Sequence, residues 1–169
     1  TTLRAQNLGL ARGSLGVGLG SRLTLDALFF FGLGTKGGQT LAKTLQQQWT
    51  QHVRQDDYNT RMRPGWEVQR AALVRAVYSK RQLFEVVNTF WHDHFNVMLG
   101  DYDCCPVYVH YDREVIRANA FGNFRTMLEA VAQSCAMMHY LDNKSNRRAG
   151  PNENFARELL ELHTFGAEN

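Results

Sequence analysis

The sequence predicts an all-α protein: an irregular multi-helix array preceded by a glycine-rich, loop-dominated N-terminal segment. Three observations carry that expectation. Apolar residues recur at helical spacing from Thr40 onward, turn-forming residues fall between the periodic stretches, and strand patterning is almost absent. With 169 residues, 44% of them hydrophobic and 21% charged, the chain is long enough to bury its own core.

Residues 1–39 form the first segment, in which GLGSR at Gly18–Arg22 and GLGTKGG at Gly32–Gly38 flank an apolar run from Ala27 to Leu33. Glycine loses the most backbone freedom on folding, so the segment reads as loops around one short buried element. Neither Gly-x-Gly piece continues to a third glycine at dinucleotide-binding spacing, which leaves only a weak phosphate-loop signal. Residues 40–169 form the helical domain, with segments expected near 40–54, 66–79, 82–97, 112–119, 122–133, 135–141 and 154–165. Pro64-Gly65, Gly100 through Pro106, Gly122 and Gly150-Pro151 are read as the breaks. Val107-Tyr108-Val109 is the one strand candidate, too short to build a sheet.

The formal charge is +3, and the nearest approach to a basic stripe is the pair Arg147-Arg148, so no nucleic-acid partner is expected. Ala27–Leu33 falls far short of the about 20 apolar residues that span a bilayer, so no transmembrane helix is expected. The chain opens on Thr1 with no charged-then-apolar leader, as a processed or partial product would. Cys104 and Cys105 are adjacent, a spacing that excludes a zinc ribbon or a Cys-x-x-Cys pair. A bridge from either of them to Cys135, or three free thiols, both remain open.

Projected at about 100° per residue, the helix around Leu83–Val97 has an apolar arc of Leu83, Phe84, Val86, Val87, Phe90, Trp91 and Phe95. His94 falls near the centre of that arc and His92 on the opposite side. In Phe155–Phe165 the arc holds Phe155, Ala156, Leu159, Leu160 and Leu162, with His163 inside it. Arg157 and Glu161 share the outer face, and Glu158 sits on the border.

PNENFARELLELHTFG, at Pro151–Gly166, resembles the most distinctive signature of the bacterial family called domain of unknown function 1800. RAVYSKRQLFEVVNTFWHDHFNV (Arg75–Val97), YDREVIRANAFGNFRTMLEAVAQS (Tyr111–Ser134) and AMMHYLDN (Ala136–Asn143) resemble further blocks of that family, in the same order, so the resemblance spans about residues 67–166. It implies a large bacterial protein, commonly exported to the periplasm or cell exterior. It also implies helical sequence continuing beyond the HTFG block, so that this chain is a partial member. No activity comes with the resemblance.

An imidazole on an apolar helix face must find a partner or pay desolvation, so His94 and His163 are either hydrogen-bonded core residues or metal ligands. With Glu158 they would make a histidine–carboxylate set suited to zinc, iron or copper. The templates argue for restraint. His92 and His94 point to opposite sides of a regular helix, His92 lacks the i+4 partner of His-Glu-x-x-His, and neither Glu158 nor Glu161 is followed by histidine at i+3. The bland reading of the Asn-Glu-Asn block is helix capping by Asn152 and Asn154, with Gly166 as a left-handed terminus. Arg157 then becomes a buried tether to Asp142 or to backbone carbonyls. Asp93 cannot face its histidine neighbours, Ser134 reads as a cap and not a nucleophile, and Phe90, Trp91 and Phe95 read as core.

Two function classes follow. One is a scaffold or interaction component of an extracellular or envelope assembly, partnered by other proteins or by the rest of its own chain. The other is a metal- or redox-dependent enzyme with its site between the His94 and His163 helices. The sequence favours the scaffold, since neither a nucleophile–base pair nor a complete ligand set can be assembled from it.

Overall fold

A computed structural model describes residues 39–166; the glycine-rich segment, apart from Gln39, lies outside them. Helices α1 (Leu45–Gln48), α2 (Tyr58–Tyr78), α3 (Gln82–Phe95), α4 (Tyr108–His110), α5 (Phe124–Ala132), α6 (Cys135–Tyr140) and α7 (Asn154–Glu161) succeed one another, and no strand occurs among the described residues. None of these helices is long and apolar enough to cross a membrane. Two stretches widen to π-helical geometry, Trp49–Val53 after α1 and Tyr111–Arg117 after α4, and two 3₁₀ turns cover Cys105–Val107 and Asn143–Ser145.

Local chemistry sets most of the helix starts. Thr44 and Gln47 form a reciprocal capping box on α1, Asp57 accepts from Thr60 N–H at 2.7 Å to start α2, and Asn123 and Ser134 cap α5 and α6. Ser134 is therefore a cap, as read from the sequence. Asn96 closes α3 in the left-handed region at φ 47°, which Asn tolerates because its short amide can bond locally.

Pro64-Gly65 does not break α2, and the structure gives the reason for each residue. Proline has no N–H to offer the carbonyl of Thr60 four residues earlier. That carbonyl is taken instead by His52 Nδ1 at 2.7 Å. At Gly65 the space a Cβ would fill belongs to the Cys105 sulfur. Both helix-breaking residues thus serve tertiary contacts in an uninterrupted helix.

The strand expected at Val107–Val109 is helical. These residues are buried on all sides, at 1%, 6% and 2% exposure. A short apolar run of that kind has no period by which a strand can be told from a buried helical turn. Asp101 Oδ1 starts the turn by accepting from the N–H groups of Asp103 and Cys104. The core forms where this segment meets α2, α5 and α6, around Phe95, Tyr111, Ile116, Met127, Val131 and Met137. All three thiols are free. Burial pushes the Cys105 thiol up to about 11 and Cys104 further still, while their sulfurs donate to the carbonyls of Met62 and Ala136.

Arg61 ties the N-terminal part to this core. Nearly buried, it donates to the carbonyls of Val53 and Tyr102, pairs with Asp103 at 2.9 Å, and stacks 4.1 Å above the Tyr102 ring.

Candidate functional site

α3 is the element on which the site is built, and it faces the core with only one edge of its apolar arc, the edge that holds Phe95 and half-buried Trp91, together with the polar residues beside that edge. Asn88 and Phe95 are buried, while Glu85 and His92 point inward to charged partners. Leu83, Val86 and Phe90 stay 70%, 63% and 56% exposed. The cause is polar pairing. Arg117 clamps Glu85 through two bonds of 2.8 and 2.9 Å, and His92 Nε2 meets Asp112 Oδ1 at 3.0 Å.

His92, placed by its sequence position on the polar side of the helix, is a half-buried member of an internal network. A carboxylate only accepts, so His92 Nε2 carries the hydrogen it gives to Asp112. On its other edge the Tyr108 hydroxyl lies 3.2 Å from Nδ1 and reaches the Val97 carbonyl at 3.3 Å. Arg75 stands 3.6 Å from the second Asp112 oxygen. Asp112 is 6% exposed, and the π-helical widening of Tyr111–Arg117 buries Tyr111 and Asp112 together with Val115 and Ile116 on one broad face. Burial raises the phenols of Tyr108 and Tyr111 above their ordinary range, which unfits them as nucleophiles near neutral pH. Nothing local in the sequence marks this network, because its members lie twenty residues apart and Asp-Arg-Glu at 112–114 looks like a solvated charge run.

At the other end of α3 the structure brings His94 and His163 together, with ring centroids 5.9 Å apart. His94 Nε2 contacts the His163 carbonyl at 3.3 Å. The surroundings are aromatic: Phe90, Trp91 and Phe124 lie around His94, and Phe95 lies 5.4 Å from His163. His163 is 5% exposed, and its Nδ1 has no hydrogen-bond partner among the described residues. Burial, then the nearby His94, lower its pKa, so the ring is neutral at neutral pH. The third expected ligand, Glu158, is engaged with Arg157 at 3.4 Å, and among the described residues no three His, Cys, Asp or Glu gather into a metal-binding group.

The Asn-Glu-Asn block does structural work, differently shared out. Asn152 Oδ1 accepts from Asn154 N–H at 3.0 Å, and its amide reaches the Leu141 carbonyl at 3.3 Å. Asn154 does not cap; its side chain accepts from Arg157. Gly166 takes the left-handed conformation at φ 90°. The buried Arg157 tether is overturned. Its side chain is 55% exposed and serves Asn154, Glu158 and Glu161 on its own helix, while Asp142 is an exposed residue in the left-handed region at φ 55°. The tether fails because α7 lies on the surface with no buried residue within it, leaving no interior for Arg157 to enter. Replacing Arg157 by Ala is accordingly expected to change stability by less than about 0.5 kcal/mol in urea denaturation. A loss above about 2 kcal/mol would restore the tether.

A family model described as protein of unknown function (DUF1800) matches residues 17–169. No curated protein and no solved structure matches the chain.

Proposed function

Because the chain belongs to the domain of unknown function 1800 family, whose name carries no reaction, we propose its role from its own surface: a noncatalytic scaffold module in an exported bacterial assembly, docking another protein through the apolar face of α3. The observation that supports this reading is the orientation of α3. Leu83, Val86 and Phe90 lie along one stripe of the helix and stay exposed while polar residues of the same helix are turned inward. Leu160 and Leu162, at and just beyond α7, are also exposed. Large apolar side chains left exposed along one helix stripe are the kind of surface a docking partner covers. The polar groups of α3 are meanwhile consumed by internal bracing, as the Glu85–Arg117 and His92–Asp112 pairs illustrate. Residence in the periplasm or outside the cell is part of the same proposal and derives from the family resemblance.

The test is site-specific photo-crosslinking in the producing cell, with the reactive residue at position 86 or 90 and, as control, at the exposed Arg125. The expected result is one discrete protein adduct from positions 86 and 90 that Arg125 does not give, recovered from the envelope fraction. Adducts that are absent, or the same from all three positions, would refute the docking face.

One observation favours a second reading, a metal- or redox-dependent enzyme: the buried Nδ1 of His163, beside His94 and without a hydrogen-bond partner among the described residues. Elemental analysis for zinc, iron and copper in natively purified wild type against His163→Ala decides it. Metal lost in the variant supports the enzyme, and equal content in both leaves the scaffold.

A further inference from the structure

The region from just before α1 to the middle of α2 holds a lysine–histidine pair that neither reading above uses. Lys43 Nζ lies 2.8 Å from His52 Nε2, and His52 Nδ1 lies 2.7 Å from the Thr60 carbonyl. A carbonyl has no hydrogen to give, so the ring hydrogen is on Nδ1 and Nε2 turns a lone pair toward the lysine. His52 is 3% exposed, which fixes the ring, while Lys43 is only partly buried. Pro64 keeps the Thr60 carbonyl available, since it supplies no N–H to compete for it. A nucleophile within hydrogen-bond reach of a base, itself oriented by a third group, is the pattern of an activated side chain.

The surrounding charges are few. From α2, Glu67 is buried and accepts both the N–H and the hydroxyl of Thr40 on one oxygen, at 2.8 and 2.6 Å, and its charge favours the ammonium. Exposed Arg63, also on α2, opposes it. Arg113, from the π-helical stretch after α4, donates to the Lys43 carbonyl at 3.2 Å. Burial lowers the pKa of Lys43 and of His52 alike.

We propose that Lys43 is a nucleophilic amine, with His52 as its proton acceptor, that condenses with small aldehydes. His52 Nε2 takes a proton from the ammonium, the freed amine forms a C–N bond to the aldehyde carbon, and the carbonyl oxygen leaves as water. The proton returns to the imine nitrogen, so ammonium plus aldehyde gives protonated imine plus water. This site is remote in sequence from the docking face on α3, and the two proposals fail independently.

The test treats the full chain with propanal and sodium cyanoborohydride, which reduces the imine to a stable secondary amine, and follows each lysine by peptide mass spectrometry. At pH 7.5 Lys43, with its base in place, is expected to react at least about tenfold faster than Lys80 and Lys144. Its pH–rate profile is expected to rise at lower pH than theirs. His52→Gln removes the base and is expected to bring Lys43 down to the rate of Lys80. Wild-type Lys43 reacting no faster than Lys80, or an unchanged rate in folded His52→Gln, overturns the proposal. If His52→Gln does not fold by circular dichroism, the wild-type rates and pH profile decide alone.

Discussion

Replacing Glu85 by Gln is expected to cost about 3–5 kcal/mol of stability, the scale for stripping one partner from a buried ion pair. Glu85 and Arg117 expose only 11% and 17% of their side chains, and the guanidinium also lies 4.9 Å from the Phe84 ring centroid. Glutamine keeps the shape and one acceptor but takes from the arginine its hydrogen-bonded counter-ion between α3 and the segment after α4, leaving only the more distant Asp112 charge. The pair also sets a pH dependence. The hydrogen bond from Arg117, ahead of its charge, lowers the Glu85 pKa below the ordinary glutamate value. A depressed carboxylate contributes stability that is present above its unfolded pKa and is lost as the pH falls through the folded one. Urea denaturation from neutral into acid pH is therefore expected to give a steep loss for wild type that is flatter for Glu85→Gln. Parallel curves, or a cost below about 1 kcal/mol, would mean the pair is effectively solvated.

Gly65→Ala is expected to reverse the usual sign for its class. In a helix interior Gly→Ala ordinarily stabilises by about 0.5–1 kcal/mol. Here the new methyl would occupy the place of the buried Cys105 sulfur, with Leu99 next to it at 3.3 Å. Overpacking of this kind costs about 1–3 kcal/mol, and the sulfur could move only by giving up its bond to the Met62 carbonyl. Thermal unfolding of Gly65→Ala, Cys105→Ala and the double variant checks this. The single glycine variant should melt lower than wild type, and removing the sulfur should recover much of that loss as a coupling between the two sites. A Gly65→Ala protein that melts higher than wild type would show that the helix backbone yields freely.

The helices were legible wherever their signals are local. The Ser134 cap acts within a turn of itself and was legible, helical periodicity survives in α2, α3 and α5, and the caps Thr44, Asp57 and Asn123 emerge only in the structure. Legibility failed where partners are distant. The apolar arc of α3 located its helix correctly, yet the rotation of that helix was decided by Arg117 and Asp112, residues 32 and 20 positions away. Pro64-Gly65 misled for a related reason: their cost in an isolated helix is local, whereas their compensation comes from His52 and Cys105. At the site, the approach of His94 to His163 followed from both lying on apolar arcs. Arg157 was misplaced because its tether required α7 to have a buried side.

That exposed α7 has a consequence for how the molecule opens. Cooperative unfolding units are delimited by how much surface each segment shares with the rest, and the stretch from Asn154 to Glu161 contains no buried residue. What holds it is half-buried Phe155 against the core, and at its flanks the Asn152 amide on the Leu141 carbonyl before it and buried His163 after it. Release of these three moorings is expected to free the helix while α2, α5 and α6 keep their packing. Asn154–Glu161 is thus expected to open ahead of the rest of the molecule, its amides exchanging faster than those of α2 in native-state hydrogen exchange.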